Sequence, residues 1–503
     1  MTLAKKILGD LLISEHNALT LPSSFTADSR QVKEGVGFAA IPGTLADGHT
    51  FIPAALEKGA ALIVMERMMP LPEGTPFLLV RESAAAFALL VRHCAGEPDR
   101  ALRLMGVTGT NGKTTTAFLL EHIFNRSGRS CGLVSTVEYR TGKEIIPGER
   151  TTPDSQTLFA LFSRMKENSL SCAAMELSSH SLVQNRAAGI KLHAGIFTNL
   201  TGDHLDYHGT MENYFAAKKR LFTHFLHPQG VGIINIDDPW GKKLASELAT
   251  EKRIVTFSVE KGTTCLIDAI CLEKGGSSFT RHHPEYGEIP LRSDLTGAYN
   301  VYNLAGAAIA ALEQGITPVE LQNALKEKIR VPGRLESFPL PGGGCAYVDY
   351  AHTDDALVNV LKTLRPLTPG RLCVLFGAGG DRDKTKRPRM GKAAALFADR
   401  LFVTSDNPRN EEPEKIIEDI LSGIPEGSSC RVIPDRGEAI REALSEIKEG
   451  DSLLIAGKGH ENYQEIKGVK YPFSDLEEIQ RFIKGGNFKS HSKNGKDVIR
   501  KEL

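Results

Sequence analysis

Residues 107–114 read Val-Thr-Gly-Thr-Asn-Gly-Lys-Thr and follow the apolar run Leu102 to Val107. A strand, a glycine turn and a lysine ahead of a helix make a phosphate cradle. The backbone N–H groups of Gly109, Thr110, Asn111, Gly112 and Lys113, with the positive end of the helix behind them, face an anion. Lys113 adds a point charge for the β and γ oxygens of ATP, and the hydroxyl of Thr114 or Thr115 is of the kind that ligates Mg²⁺ in such loops. The usual P-loop has a further glycine five residues before Gly112, where this chain has Val107, so the loop is a shortened GxxGKT form.

Outward from this loop, apolar strands alternate with amphipathic helices: Leu104 to Val107, Cys131 to Ser135, Cys172 to Leu177, Ala194 to Thr198 and Val231 to Ile236. The alternation predicts a parallel, helix-covered sheet. Before it, residues 1–100 carry short strand runs at 37–41, 61–65 and 76–80 with helical stretches at 53–58 and 83–95, a small N-terminal α/β module. After an irregular segment at about 253–293, Arg334 to Leu340 and Cys345 to Tyr350 read as a hairpin that opens a third domain. Strands at 372–376, 400–404, 430–433 and 452–456 then give it a Rossmann-like open α/β sheet. The expected architecture is therefore three α/β domains: 1–100, a central P-loop parallel-sheet domain 101–332, and 333–485. Residues 486–503 form a polar, lysine-rich tail.

The chain has 503 residues, 41% of them hydrophobic, with Lys plus Arg equal to Asp plus Glu at 61 each and a pI of about 7.2. No overall field draws it to nucleic acid or an anionic membrane. Its eight cysteines are scattered without a CxxC pair or zinc spacing, as suits reduced thiols in a cytoplasm. No uncharged run of about 18 apolar residues occurs, so neither export nor a membrane span is expected.

Three further groups suggest chemistry. Glu176 follows the strand Cys172 to Met175 and sets a carboxylate at the sheet edge beside the phosphates, a candidate Mg²⁺ ligand. The strand Ile196 to Leu200 runs into Thr-Gly-Asp-His-Leu-Asp-Tyr-His-Gly, where His204 is a candidate metal ligand supported by Asp203. On the helix Met211 to Phe222, Tyr214, Phe215, Leu221 and Phe222 form an apolar face, and Lys218 lies three or four residues from each. Lys218 should point inward while Lys219 and Arg220 should not. A buried lysine needs an acidic partner or a shifted pKa, unless it snorkels to solvent.

With these residues on the page the chain resembles the Mur ligases, and within them the UDP-N-acetylmuramoyl-dipeptide ligases of the MurE type that add the third peptide residue. The resemblance runs in order from Asp28-Ser29-Arg30 through GTNGKTTT, ELSSHSLVQNR, TNLTGDHLDYHG, YFAAK, PGRLE, VDYAHT, GGDRDKTKRP and DNPR to GKGHE. It implies that Lys218 is carboxylated by CO2 to a carbamate. That agrees with the physics, because two Mg²⁺ ions repel an ammonium but are ligated by carbamate oxygens. It implies that ATP activates a carboxylate as an acyl phosphate, which an amine then attacks through a tetrahedral intermediate, so that catalysis is positioning and charge neutralisation. One Mg²⁺ would bind near Thr114 or Thr115 and Glu176, the second near His204 and the Lys218 carbamate. Of the basic loop Lys384, Lys386, Arg387 and Arg389, Lys386 is the first choice to reach the γ-phosphate on domain closure; without the resemblance the loop would read as a solvated basic turn. Asn300, Asn303, Arg334, Asp349 and His352 look like nucleotide-facing positions. The chain has His352-Thr353-Asp354-Asp355 where the family usually has His-Thr-Pro-Asp.

The same resemblance assigns residues 1–100 to the uridine nucleotide through Ser29, and gives Thr151, Thr152, Ser178, Gln184 and Arg186 to the muramoyl-dipeptide, Arg186 pairing with its carboxylates. Asp406-Asn407-Pro408-Arg409 points to the added amino acid. meso-Diaminopimelate differs from L-lysine by a distal carboxylate, which an arginine fork recognises. Arg382, Asp406, Asn407, Arg409, Gly457 and Glu461 match the diaminopimelate-using members, with Glu461 accepting the distal ammonium; donors left unpaired should make the site reject lysine. The expected role is peptidoglycan precursor synthesis, hence cell-wall biogenesis, cell shape and division, by a cytoplasmic monomer that binds no nucleic acid. The rivals are the same ligase using L-lysine, a folylpolyglutamate synthase, and a P-loop ATPase without ligase activity.

Overall fold

The computed structural model describes residues 1–43, 46–273 and 275–485, with a two-residue strand at Lys496–Asp497. The rest of the expected tail, 486–503, lies outside the described residues. The chain divides into two compact units. One holds Met1–Ile267, Arg281–Ile289 and Asn303–Ala324; the other holds Asp268–Thr280, Pro290–Tyr302 and the chain from Leu325 onward. Residues 1–100 and the P-loop sheet thus share the first unit.

In the first unit the N-terminal module is a five-stranded sheet in the order Leu12–His16, Phe77–Val80, Leu62–Met65, Gly37–Ala39, Phe25–Thr26. Its first pair is antiparallel and the rest parallel. The P-loop sheet runs Arg253–Ser258, Leu226–Asn235, Leu192–Phe197, Arg103–Thr108, Cys172–Glu176, Cys131–Val134, all parallel, and ends in the antiparallel strands Glu138–Arg140 and Ile145–Pro147. Continuous apolar runs such as Leu104 to Val107 bury both faces, as helix-covered parallel strands require. Because Arg103–Thr108 lies between its two neighbours with Val107 opposite Glu176 and Thr108 opposite Phe197, the loops after all three strands leave at one edge. That edge is where an open α/β sheet binds ligands.

In the second unit Glu336–Pro339 and Cys345–Asp349 form the expected antiparallel hairpin, and Ser452–Ala456, Leu372–Phe376, Arg400–Val403 and Cys430–Val432 extend it in parallel. Asp349 lies opposite Ala456, and Phe376 opposite Val403, so the loops beginning at Tyr350, Gly377, Thr404 and Gly457 share an edge. The α/β fold class expected from the sequence is the observed one. The structure departs from these expectations in several places: the helix expected to reach Phe222 ends as regular α-helix at Arg220 and widens into a π-turn over Leu221–Phe225, the strand expected from Val231 begins at Leu226, the irregular segment at about 253–293 holds the strands Arg253–Ser258, Cys265–Glu273, Gly276–His283 and Gly287–Ser293, and a hairpin of Tyr463–Ile466 and Val469–Pro472 had no sequence counterpart. Among the described residues, no helix is long and apolar enough to cross a membrane.

Candidate functional site

The glycines of the loop are required by space as well as by conformation. Gly109 has φ +148° and a Cβ there would overlap the Thr198 hydroxyl; Gly112 has φ +87° and a Cβ would overlap the Asn303 carboxamide. The loop is clipped to the next strand end. Asn111 N–H donates to Asn199 Oδ1 (2.9 Å), and Thr198 Oγ1 donates to the Asn111 carbonyl (2.6 Å). Lys113 folds back, its Nζ donating to the carbonyls of Gly109 (3.0 Å) and Thr110 (2.8 Å), while Thr114 and Thr115 are buried at the first turn of the helix Lys113–Arg126.

Lys218 points inward, as the helical spacing requires. Thr210 caps its helix by accepting from Asn213 N–H, and Tyr214, Phe215 and Ala217 share the buried face. Lys218 is 1% exposed, and its Nζ donates to the Gly109 carbonyl at 2.7 Å and lies 4.4 Å from the Tyr214 ring centroid. Two lysines therefore converge on one carbonyl oxygen. No carboxylate among the described residues lies within ion-pair distance of Lys218, and burial, then Lys113, push its pKa well below the ordinary value. Tyr214 connects this lysine to the loop through a hydroxyl contact with Thr110 Oγ1 (3.3 Å).

Glu176 is fully buried at its strand end, where its carboxylate accepts from the N–H (2.8 Å) and hydroxyl (3.2 Å) of Thr136. His204 has φ +54° and its Nε2 is 3.4 Å from Asp203. Burial, opposed by Asp203 and helped by His180 and the two lysines, holds the imidazole below its ordinary value, in the neutral form a metal needs. The histidines at this loop separate in role. His208 is buried, bonded to Ser179 Oγ (2.9 Å) and stacked on Tyr214, so it packs the site. His180, not singled out in the sequence, meets the His204 ring edge-on at 5.0 Å. Among the described residues no three His, Cys, Asp or Glu side chains form a ready metal cage. This donor set fits Mg²⁺, which takes one or two protein oxygens and completes its shell with phosphates and water.

Five expected substrate residues form one network with Glu176. Thr151 Oγ1 lies 3.0 Å from Thr136 Oγ1, Thr152 Oγ1 donates to the Glu176 carbonyl (2.8 Å) and accepts from Ser178 N–H (3.1 Å), and Ser178 caps the helix Ser179–Val183. Arg186 donates to Gln184 Oε1 through Nε (3.0 Å) and Nη2 (2.7 Å) and to the Thr152 carbonyl (2.7 Å). Among the described residues no carboxylate lies within ion-pair distance of this guanidinium, a setting in which an anion would be its strongest partner. Ser29 lies in the turn that follows the strand Phe25–Thr26, and its carbonyl accepts from Lys58 Nζ (3.0 Å).

In the second unit Asp349 accepts from the N–H groups of Leu335 and Ala351 (2.8 Å each), and Arg334 lies over the Tyr350 ring. Thr353 caps the helix Asp354–Leu364, and Asp354 pairs with Arg389 at 2.8 Å, so the departure from His-Thr-Pro-Asp is accommodated as an ordinary N-cap. His352 turns Nδ1 to the Tyr350 carbonyl and receives Lys386 Nζ on its own carbonyl (3.0 Å). The basic loop is not a uniform solvated turn. Arg387 is 1% exposed and pairs with Glu411 and Asp419, while Lys384 pairs with Glu411. Asn300 donates to the Thr296 carbonyl (2.8 Å).

Asn407 is knotted in place: its Oδ1 accepts from Lys458 Nζ and Glu465 N–H (2.9 Å each), and its Nδ2 donates to Glu461 (2.8 Å). Lys458 is fully buried between them. Gly457, at φ +117°, leaves room for the buried Asp406 carboxylate. Arg409 has φ +52°, exchanges backbone bonds with Glu465 and Lys467, and donates to the Gly380 carbonyl (2.8 Å). Arg382 is exposed and donates to the Asp381 carbonyl (3.3 Å). Gln464 Nε2 donates to the Asp406 carbonyl (2.7 Å), and with Lys458 and Glu465 it had no assignment from the sequence, where the signal available was the polar run after Gly457.

Three family models match in order: Mur ligase family, catalytic domain over residues 23–84; Mur ligase middle domain over 107–311; and Mur ligase, glutamate ligase domain over 333–459. A protein of Aquifex aeolicus named UDP-N-acetylmuramoyl-L-alanyl-D-glutamate–2,6-diaminopimelate ligase is 44% identical over 460 residues, 92% of this chain and 93% of its own. A solved structure of a ligase with that name is 32% identical, covers 97% of this chain and 100% of its own, and superposes with a TM-score of 0.67. The MurF ligase of Thermotoga maritima, solved with ADP, is 19% identical with a TM-score of 0.60 over 92% of this chain and 97% of its own, a likeness of fold alone. A chain that carries the phosphate loop, the inward lysine and the DNPR turn on this fold, and that matches such relatives along nearly its whole length, belongs to the Mur ligase family.

Proposed function

We propose that this protein is an ATP-dependent amide ligase that joins meso-diaminopimelate to UDP-N-acetylmuramoyl-L-alanyl-D-glutamate through an acyl phosphate, in cytoplasmic peptidoglycan precursor synthesis. The observation that carries the reading is Lys218: a buried amine beside the phosphate loop, with a second lysine on the same carbonyl and, among the described residues, no carboxylate within ion-pair distance of Lys218 itself. Burial and the neighbouring Lys113 push this amine toward the neutral form, the form that adds CO2, and a carbamate would put an opposite charge beside Lys113.

In this reading Gly109 to Lys113 cradle the phosphates, and Lys386 serves the γ-phosphate. Thr114 or Thr115, Glu176, His204 and the carboxylated Lys218 would hold Mg²⁺, which neutralises charge on the phosphates and the reacting carboxylate. Arg186, oriented by Gln184 and the Thr152 carbonyl, binds a carboxylate of the muramoyl-dipeptide, with Thr151, Thr152 and Ser178 beside it and Ser29 toward the uridine. Asn300, Asn303, Arg334, Asp349 and His352 serve the nucleotide. Asp406, Asn407, Arg409, Gly457, Glu461 and Arg382 serve the amino acid, whose attacking amine gives up its proton as the amide forms and phosphate leaves. The domains assigned are 1–100 for the uridine nucleotide, 101–332 for ATP and 333–485 for the amino acid, in a monomer.

The test is phosphate release from ATP with UDP-N-acetylmuramoyl-L-alanyl-D-glutamate and no amino acid, L-lysine or meso-diaminopimelate. Release with diaminopimelate alone supports the proposal. Preference for lysine overturns the reading of Arg409, and release that ignores the amino acid overturns the ligase.

A further inference from the structure

Arg409 is not waiting empty for a carboxylate. Its Nε lies 3.2 Å from Glu465 Oε2, the only carboxylate within ion-pair distance of it among the described residues. The two side chains are 19% and 25% exposed, so the pair is partly shielded from water. The backbone forces the meeting. Arg409 N–H donates to the Glu465 carbonyl (3.0 Å), Lys467 N–H donates back to the Arg409 carbonyl (2.7 Å), and the hairpin Tyr463–Ile466 and Val469–Pro472 holds Glu465 in register. Glu465 is anchored a second time, because its N–H donates to Asn407 Oδ1.

We propose that Glu465 is a built-in carboxylate that occupies the Arg409 guanidinium until the distal carboxylate of the amino-acid substrate displaces it, and that it thereby sets how strongly the site discriminates diaminopimelate from lysine. The inference rests on the reading of Arg409 as the reader of that carboxylate. A diamino dicarboxylate exchanges one carboxylate for another at Arg409, so only the difference between the two pairings appears as affinity. A diamino monocarboxylate leaves the Arg409–Glu465 pair intact and escapes the penalty of a stranded guanidinium, the penalty on which strong rejection depends. Glu465 thus weakens binding of the first class and tolerates the second.

The experiment is steady-state phosphate release by the full-length wild-type protein and by Glu465→Gln, with ATP, UDP-N-acetylmuramoyl-L-alanyl-D-glutamate and either meso-diaminopimelate or L-lysine. Glutamine keeps the shape and the backbone bonds and removes the charge. The expected result is a KM for diaminopimelate lower by about two- to tenfold with kcat unchanged, the range of a partly exposed ion pair. The kcat/KM ratio of diaminopimelate over lysine should rise accordingly. Glu465→Asp, which keeps the charge but withdraws it by one methylene, should fall between, and in an Arg409→Ala background Glu465→Gln should change neither quantity. An unchanged or raised KM for diaminopimelate in Glu465→Gln, from a wild type that requires diaminopimelate, overturns the role of Glu465 alone. A wild type that prefers lysine overturns the reading of Arg409, and one that releases phosphate without either amino acid overturns the ligase reading; each takes this inference with it.

Discussion

Lys218→Met should stabilise the protein when Mg²⁺, ATP and dissolved CO2 are absent, while abolishing ligation. The Gly109 carbonyl accepts from Lys218 Nζ at 2.7 Å and from Lys113 Nζ at 3.0 Å. Two unit charges about 5–6 Å apart, as those contacts allow, repel by about 3 kcal/mol at an effective dielectric of about 20. The protein relieves part of this by depressing the pKa of Lys218, but a depressed lysine pKa is itself a loss of stability. Methionine fills the same apolar face of Tyr214 and Phe215 with no charge. It gives up one hydrogen bond to a carbonyl that Lys113 still serves and one contact with the Tyr214 ring, together about 1–2 kcal/mol. The net expectation is a gain of about 1–2 kcal/mol, read as a rise of about 2–5 °C in the unfolding midpoint in CO2-depleted, Mg²⁺-free buffer near neutral pH. The sign has a pH signature. With its folded pKa depressed, Lys218 costs most below that value, and the cost fades as pH rises toward the ordinary 10.5, so the advantage of methionine should shrink on the alkaline side. A midpoint several degrees lower for Lys218→Met would refute the reasoning, because it would make the lysine a structural donor. Full ligase activity in the variant would refute the carbamate.

Other changes reach different parts of the molecule. Arg186→Ala should raise the KM for the muramoyl-dipeptide nucleotide by about 10- to 100-fold with little effect on the KM for ATP, measured by phosphate release, since a lost charge-assisted fork costs about 1.5–3 kcal/mol. Arg436 and Asp475 form a fully buried pair at 2.7 Å, and Arg436→Met should destabilise the second unit by about 3–5 kcal/mol in urea unfolding by stranding the aspartate. Glu411, pulled from 4.5 to about 2 chiefly by its bond with Arg387, stabilises the fold above pH 4.5 and loses that contribution as pH falls toward 2. Glu411→Gln should therefore cost about 1–2 kcal/mol at neutral pH, discounted for solvent, and nothing at pH 2 by the same urea assay.

Much of the fold was legible because it rests on local rules. Val107 to Thr114 required a strand, a turn and a helix, and the spacing of Tyr214, Phe215 and Lys218 required an inward lysine whatever the remaining chain did. What escaped depends on contacts between residues far apart in sequence. The partnership of Arg409 with Glu465 depends on the hairpin 463–472, whose one half-buried and one exposed strand, both of mixed polarity, carry no alternation to mark them. The burial of Arg387 could not be separated from the exposure of Lys384 and Arg389 in the same basic run, because only Glu411 and Asp419, from a later loop and helix, make it. The division of labour between His204 and His208 likewise depends on Ser179 and Tyr214, which a reading of the Asp- and His-rich loop does not include.

The fixed carboxamide of Asn407 gives its surroundings a handedness. With Oδ1 claimed by Lys458 and the Glu465 N–H, the group cannot exchange its ends, and its Nδ2 stays on the side of Glu461. A donor and an acceptor that cannot trade places fix two of the three points needed to tell a tetrahedral carbon from its mirror image; the direction of the chain attached to that carbon supplies the third. Under the proposed reading of this site, the meso and LL forms of diaminopimelate, which differ only at the second stereocentre, would meet this fixed geometry unequally.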